Sequence, residues 1–290
     1  MDFRKYLSVK TVLIGSLIIF LGLVYIVLIL PGQNTKNADT KSPSATTSAK
    51  PKEKPKEPKY PLIDLQPTVD KWAANQSGKA SVVIYDLNNS KGVASLNPDE
   101  QYFTASIYKL YVAYIGYQKI ADGTYDFDEQ YLGEYTRGEC LDEMIRSSYS
   151  PCAEKMWVEL GKENIDQQIQ EYRIENTSMV GLYTSAADTA IVLKRLHNKQ
   201  DLTDEHTELF LDSLKDQPDK YRRGLPSGLP EPEVYNKVGW NLDQEWHDTA
   251  IVTLENGHSY VISVLTSGVG MTGVAELGQV LYDRMSNSGN

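Results

Sequence analysis

The chain has 290 residues, a formal charge of −10, and 23% charged against 41% apolar residues. Residues 1 to 60 hold ten basic residues against four acidic ones, so the remainder is strongly acidic, and an acidic domain repels phosphate backbones, which excludes nucleic acid as a partner. The four histidines, His197, His206, His247 and His258, are scattered and the two cysteines form no Cys-x-x-Cys, so neither a metal nor any other cofactor is expected.

Residues 1 to 10 carry Arg4, Lys5 and Lys10 and read as a cytoplasmic tail. Thr11 to Leu30 is an uncharged apolar run of 20 residues, and at ~1.5 Å per residue a helix of that length spans roughly the 30 Å of a bilayer core. A secretory signal is the competing reading, but Pro31-Gly32-Gln33-Asn34 follows directly where a small-residue cleavage site would stand, which favours a retained anchor. Residues 31 to 60 are rich in Pro, Lys, Ser and Thr and cannot bury an apolar face, so they read as an extended linker. The expected protein is single-pass, with its N-terminus inside and residues 61 to 290 folded as one extracytoplasmic domain.

Within that domain a helix is predicted from near Thr68. Ala80 to Asp86 reads as a strand, and a second from Val93 to Leu96 completes a hairpin across Asn88-Asn89-Ser90-Lys91-Gly92. From Ser106 the pattern turns helical, with Ile107, Leu110, Tyr111, Tyr114 and Ile115 at spacings of three and four, which puts Ser106 at a helix start. Thr136-x-x-Glu139 has the form of a capping box, opening a helix that buries Cys140, Leu141, Met144 and Ile145 and stops near Ser148. Pro151 fits the first turn of the next helix, and helical pattern continues through Leu160, from Ser185 to Leu196 and from Asp204 to Leu214.

Thr249 to Leu254 and Tyr260 to Leu265 alternate as strands around Asn256-Gly257, and Val274 to Met285 closes the chain as an amphipathic helix. Strands at both ends with helices between them predict an α+β fold, an antiparallel sheet flanked by helices with an inserted all-helical lobe. Cys140 and Cys152 are expected to form a disulfide in an exported domain.

Phe103-Thr104-Ala105-Ser106-Ile107-Tyr108-Lys109 contains the chain's one Ser-x-x-Lys, and a spacing of three on a helix brings hydroxyl and amine to one face. A desolvated lysine loses its proton near neutral pH and can then activate a serine. Ser147-Ser148-Tyr149-Ser150-Pro151 sets a serine, and a second hydroxyl two residues on, at a helix-to-helix turn. Asn236-Lys237-Val238-Gly239-Trp240 places the only Lys-x-Gly ahead of the last strands.

In order and setting these three segments resemble the Ser-x-x-Lys, Ser-x-Asn and Lys-Thr-Gly motifs of class A β-lactamases and penicillin-binding proteins, over about residues 62 to 288. The resemblance implies Ser106 as the acylated nucleophile, Lys109 as its base and Ser148 as the hydroxyl that passes a proton to the leaving nitrogen. Ser150 and Lys237 would hold substrate, Lys237 through its carboxylate. Gly239 would let the acyl group approach the strand, and the Ser106 and Trp240 amides would form the oxyanion hole. The implied substrate is a β-lactam or a peptidoglycan-like D-Ala-D-Ala peptide, with a place in β-lactam catabolism and the response to antibiotics.

The chain departs from the family pattern in four places. Ser150 stands where Asn is usual, Val238 where Thr or Ser is usual, and Tyr149 where the strict form has Asp. No Glu-x-x-Leu-Asn follows the second motif, so the glutamate that activates the deacylating water has no counterpart; Glu154, Glu159, Glu163, Asp166, Glu171 and Glu175 mostly read as solvated helix-surface charge. A catalytically weak module that binds cell-wall material on the same fold is the alternative. A triad built on His247 and Asp248 would lack a nucleophile-elbow sequence.

Overall fold

The structure, a computed structural model, describes residues 60–241 and 244–286. The predicted tail, transmembrane helix and linker lie outside the described residues, and no helix among those described is long and apolar enough to cross a membrane.

The chain enters through α1 (Gln66–Ala73) and the hairpin β1 (Lys79–Asp86) and β2 (Lys91–Leu96). A short β3 (Tyr102–Phe103) leads into a 3₁₀ turn at Ala105–Ile107 that runs on into α2 (Tyr108–Ala121). The hairpin β4 (Gln130–Leu132) and β5 (Tyr135–Thr136) precedes α3 (Arg137–Arg146), α4 (Ser150–Leu160) and α5 (Lys162–Glu171). Next come β6 (Tyr183–Thr184), which pairs with β3, then α6 (Ala186–His197) and α7 (Asp204–Lys215). A 3₁₀ turn at Asp219–Tyr221 and the short α8 (Leu225–Gly228) return the chain to β7 (Glu233–Trp240), β8 (Trp246–Thr253), β9 (Ser259–Ser267) and α9 (Gly270–Ser286).

Five strands form one antiparallel sheet in the order β2-β1-β9-β8-β7. Segments from both ends of the described domain therefore build it: Val82 of β1 lies opposite Val264 of β9. One face packs Val82, Ile84, Val252, Ile262 and Val264 against Val69, Leu277 and Leu281 of α1 and α9. The other presents Ile251 and Val261 to the helical lobe. Helices cover both faces, which is why β9 reads as a nearly continuous apolar run where a half-exposed strand would alternate.

The predicted stripe on α2 is wider than expected. Residues from Tyr108 to Gln118 are all buried, because α2 is the central helix of its lobe, and a helix wrapped on every side has no polar face to spare. The Thr136 box forms in full: Thr136 accepts from the Glu139 amide at 3.2 Å and Glu139 accepts from the Thr136 amide at 2.7 Å. Cys140 of α3 and Cys152 of α4 are disulfide-bonded, with Cα atoms 5.1 Å apart.

Candidate active site

Two strained backbone positions set the frame. Ala105, just ahead of Ser106, has φ +43°, and Ser148, in the turn between α3 and α4, has φ +56°. Non-glycine residues avoid this left-handed region, at a cost of order 1–3 kcal/mol, and those held there cluster at functional sites. The Ser148 turn is fixed from below by the Tyr149 amide, which donates to the Glu143 carbonyl at 3.0 Å. From the side the Tyr221 hydroxyl donates to the Ser147 carbonyl at 2.7 Å. The nearby disulfide ties α3 to α4 around the same turn.

Lys109 projects from the first turn of α2 into this corner with only 1% of its surface exposed. Its amine donates to the Ser148 carbonyl at 2.5 Å, the Ser148 hydroxyl at 3.2 Å and the Ser150 hydroxyl at 3.0 Å. All three bonds go to the α3–α4 turn, a set of partners that the helical spacing from Ser106 does not reveal. Lys237 reaches the same Ser148 hydroxyl from β7 at 3.1 Å, and it also donates to the Val238 carbonyl at 3.2 Å. One hydroxyl thus bridges two buried amines.

Burial sets the charge states here. It brings the Lys109 amine down to about 8, against the Glu154 carboxylate, which pulls it up. For Lys237, burial and then the neighbouring Lys109 cation drive the amine well below the ordinary lysine range, with Asp248 opposing. Asp248 is itself pushed up to about 7 by burial, against hydrogen bonds from Asn236 at 2.9 Å and the Leu225 amide at 2.8 Å.

Ser106, Ser148, Tyr221, Val238 and Trp240 line one cavity of about 170 Å³. The carbonyls of Val234 and Asn236 accept from Arg222 and Gln217 on the outer side of β7. Register with β8 is unbroken from Glu233 to Trp240, and backbone groups change sides at each residue, so the Trp240 amide also turns away from β8, on the margin it shares with Ser106. Gly239 has a reason to be glycine besides the expected approach of an acyl group. A Cβ there would stand 2.9 Å from the Thr104 carbonyl oxygen and 3.0 Å from the Ile107 nitrogen, so it is the backbone of the Ser106 turn that requires the close approach.

The His247 ring accepts from the Thr266 amide at Nδ1 and donates from Nε2 to the Phe103 carbonyl at 2.8 Å, and burial lowers it to about 4. Both nitrogens are occupied by backbone, and Asp248 bonds to Asn236 and Leu225 instead, so the His247–Asp248 triad is not formed. Tyr221 ends a 3₁₀ turn and Arg222 follows it, a stretch with no periodicity or motif to mark it in the sequence. The Tyr221 ring packs 5.3 Å from that of Trp240 and walls the cavity. A larger surface groove of about 770 Å³ between α1 and α9, lined by Trp72 and Glu276 among others, has neither serine nor buried lysine beside it.

The family model described as the β-lactamase enzyme family matches residues 64–285. Among solved structures the chain is similar to PBP-A, at 19% identity with a TM-score of 0.71, covering 80% of this chain and 99% of that one. A variant of PBP-A, titled as an acyl-enzyme complex with penicillin G, is 20% identical with a TM-score of 0.70, over 80% and 99% of the two chains. A β-lactamase from Chitinophaga pinensis is 17% identical with a TM-score of 0.69, over 77% and 98%. These likenesses show the fold. A comparison with curated proteins found no match.

Proposed function

The chain belongs to the β-lactamase enzyme family, and from that premise we propose that it is an acyl-serine hydrolase with Ser106 as its nucleophile, acting on β-lactams or D-Ala-D-Ala-type peptides. The observation that carries this reading is the Ser148 hydroxyl held between the Lys109 and Lys237 amines, at 3.2 and 3.1 Å, in a cavity shared with Ser106. A lysine near 8 supplies neutral amine at physiological pH, which is what a serine nucleophile needs.

On this reading Lys109 accepts the Ser106 proton as the hydroxyl oxygen attacks the substrate carbonyl. The Ser106 and Trp240 amides stabilise the oxyanion, an effect worth ~3 kcal/mol per donor in other hydrolases. Ser148, already hydrogen-bonded to both amines, relays a proton to the leaving nitrogen. A substrate carboxylate near Lys237 restores the charge that burial suppresses, and Ser150 takes the place of the usual Asn with one polar atom fewer. The chain keeps the serine and lysine residues that acylation needs, whereas hydrolysis of the acyl-enzyme lacks the family's Glu-x-x-Leu-Asn. The same departures, with Val238 in place of a hydroxyl beside the carboxylate, are what favour the second reading, a weak or inactive module that binds cell-wall material.

A fluorophosphonate or β-lactam probe tests the roles by rank. Labelling is expected to vanish in Ser106→Ala, to slow strongly in Lys109→Ala and to slow modestly in Ser150→Ala. A Lys109→Ala protein that labels at the wild-type rate overturns the assignment of the base. We also propose that residues 11–30 anchor the chain, residues 31–60 tether it and residues 61–290 work outside the membrane. Protease added to intact cells is then expected to cut the tether, and protection until the membrane is broken contradicts that topology.

A further inference from the structure

Several acids that follow Ser150 are committed elsewhere. Glu159 pairs with Arg137 at 3.0 Å and accepts from Tyr131. Asp166 accepts from the Ser178 hydroxyl at 2.8 Å and from the Met179 amide, and Asp188 accepts from the Thr177 hydroxyl and the Asn176 amide, both at 2.7 Å. These bonds engage the Glu159, Asp166 and Asp188 carboxylates with protein donors.

Glu154 differs from them in its surroundings. It lies one turn beyond Ser150 in α4, on a face that continues to Trp157. Both residues that bracket it touch the start of α2: the Ser150 hydroxyl lies 3.0 Å from the Lys109 amine, and the Trp157 ring lies 5.5 Å from that of Tyr108. Helical side chains lean toward the N-terminal end of their helix, so the Glu154 carboxylate leans back toward Ser150 and the amine it contacts. The electrostatics agree with the geometry. Glu154 is the charge that pulls Lys109 up against burial, and it adds to the burial that raises Tyr108. Glu154 is also exposed to solvent, so water reaches it freely.

We propose that Glu154 is the base that activates water against the Ser106 ester, supplying from α4 what the loop after α5 lacks. The inference rests on the acyl-serine reading above. Glu154 takes a proton from water as the water oxygen bonds to the acyl carbon. It then returns that proton, by way of Lys109, to the Ser106 oxygen as the bond between that oxygen and the acyl carbon breaks. One ester and one water become one carboxylic acid and the free serine. General-base help is worth ~10²–10⁴ in rate, and an exposed carboxylate belongs at or below the low end of that range.

The test follows the adduct mass on the full-length chain after a pulse of benzylpenicillin and removal of the excess, for wild type, Glu154→Gln and Glu154→Asp. The expected result is an adduct that lasts roughly ten- to a hundredfold longer in Glu154→Gln, with a much smaller change in its rate of formation and an intermediate lifetime in Glu154→Asp. Equal lifetimes in wild type and Glu154→Gln, or a wild-type adduct that never decays, overturn the role of Glu154 and leave Ser106 as nucleophile. A folded wild-type protein that forms no adduct at Ser106 overturns both.

Discussion

The Ser148 hydroxyl lies 3.1 Å from the Lys237 amine although 89 residues separate them in the chain. It reaches that point because Ser148 adopts φ +56° in the turn that the Tyr149 amide and the Tyr221 hydroxyl hold. With Lys109 on its other side, the hydroxyl accepts hydrogen bonds from two buried amines, which is the arrangement the proposed proton relay uses. Ser148→Ala is therefore expected to slow acylation by a β-lactam about a hundredfold or more while leaving the melting temperature nearly unchanged. Stopped-flow acylation with a reporter cephalosporin measures it, and a rate within a few-fold of wild type removes Ser148 from the proton path.

The pH dependence follows from the Lys109 amine at about 8. The base works when neutral, so the acylation rate rises as pH rises and levels off above about 8. Well below that point the rate falls about tenfold for each pH unit, as the neutral fraction does. Single-turnover rates between pH 5 and 9 give the profile. A flat profile across this range contradicts Lys109 as the base.

Gly239→Ala tests the packing under the nucleophile. The new methyl would meet the Thr104 carbonyl oxygen at 2.9 Å and the Ile107 nitrogen at 3.0 Å, both backbone atoms that cannot rotate away. Overpacking of this kind costs about 1–3 kcal/mol, and here it displaces the Ser106 turn. Both a lower melting temperature and a large loss of acylation are expected; loss of neither places the strand farther from the turn than the structure does.

Sequence alone exposed those parts of the site that obey local rules. The Thr136–Glu139 box, Pro151 at the start of α4 and the turn at Asn256-Gly257 each follow from short-range hydrogen bonding, so each was readable in place. The motifs around Ser106, Ser148 and Lys237 gained meaning only from their order and family likeness, because spacing carries no information about contacts 39 or 89 residues apart. Lys109 shows the limit: helical spacing puts it on the face of Ser106, but no local rule announces its hydrogen bonds to Ser148 and Ser150. Tyr221, at the end of a 3₁₀ turn, and Arg222 after it carry no periodic signal, and the spacing of Glu154 on α4 says nothing of the contacts between α4 and α2.

The Cys140–Cys152 disulfide closes a short loop around the Ser148 turn. Loop-closure entropy for a loop of this size is worth at most ~3 kcal/mol. Cys140→Ala with Cys152→Ala is expected to lower the melting temperature by several degrees and to slow acylation, since the turn is then held only by hydrogen bonds. Melting curves and acylation rates for the double variant check both effects. An unchanged acylation rate would show that Tyr221 and the Glu143 carbonyl hold the turn without the cross-link.

The most direct measurement is intact-protein mass spectrometry of the full-length chain with benzylpenicillin, followed by peptide mapping, on wild type and Ser106→Ala. Ser106 as the nucleophile predicts one penicilloyl adduct on wild type, mapped to Ser106, and none on Ser106→Ala at an unchanged melting temperature. An adduct that persists in Ser106→Ala, or a folded wild-type protein that never acquires one, contradicts it.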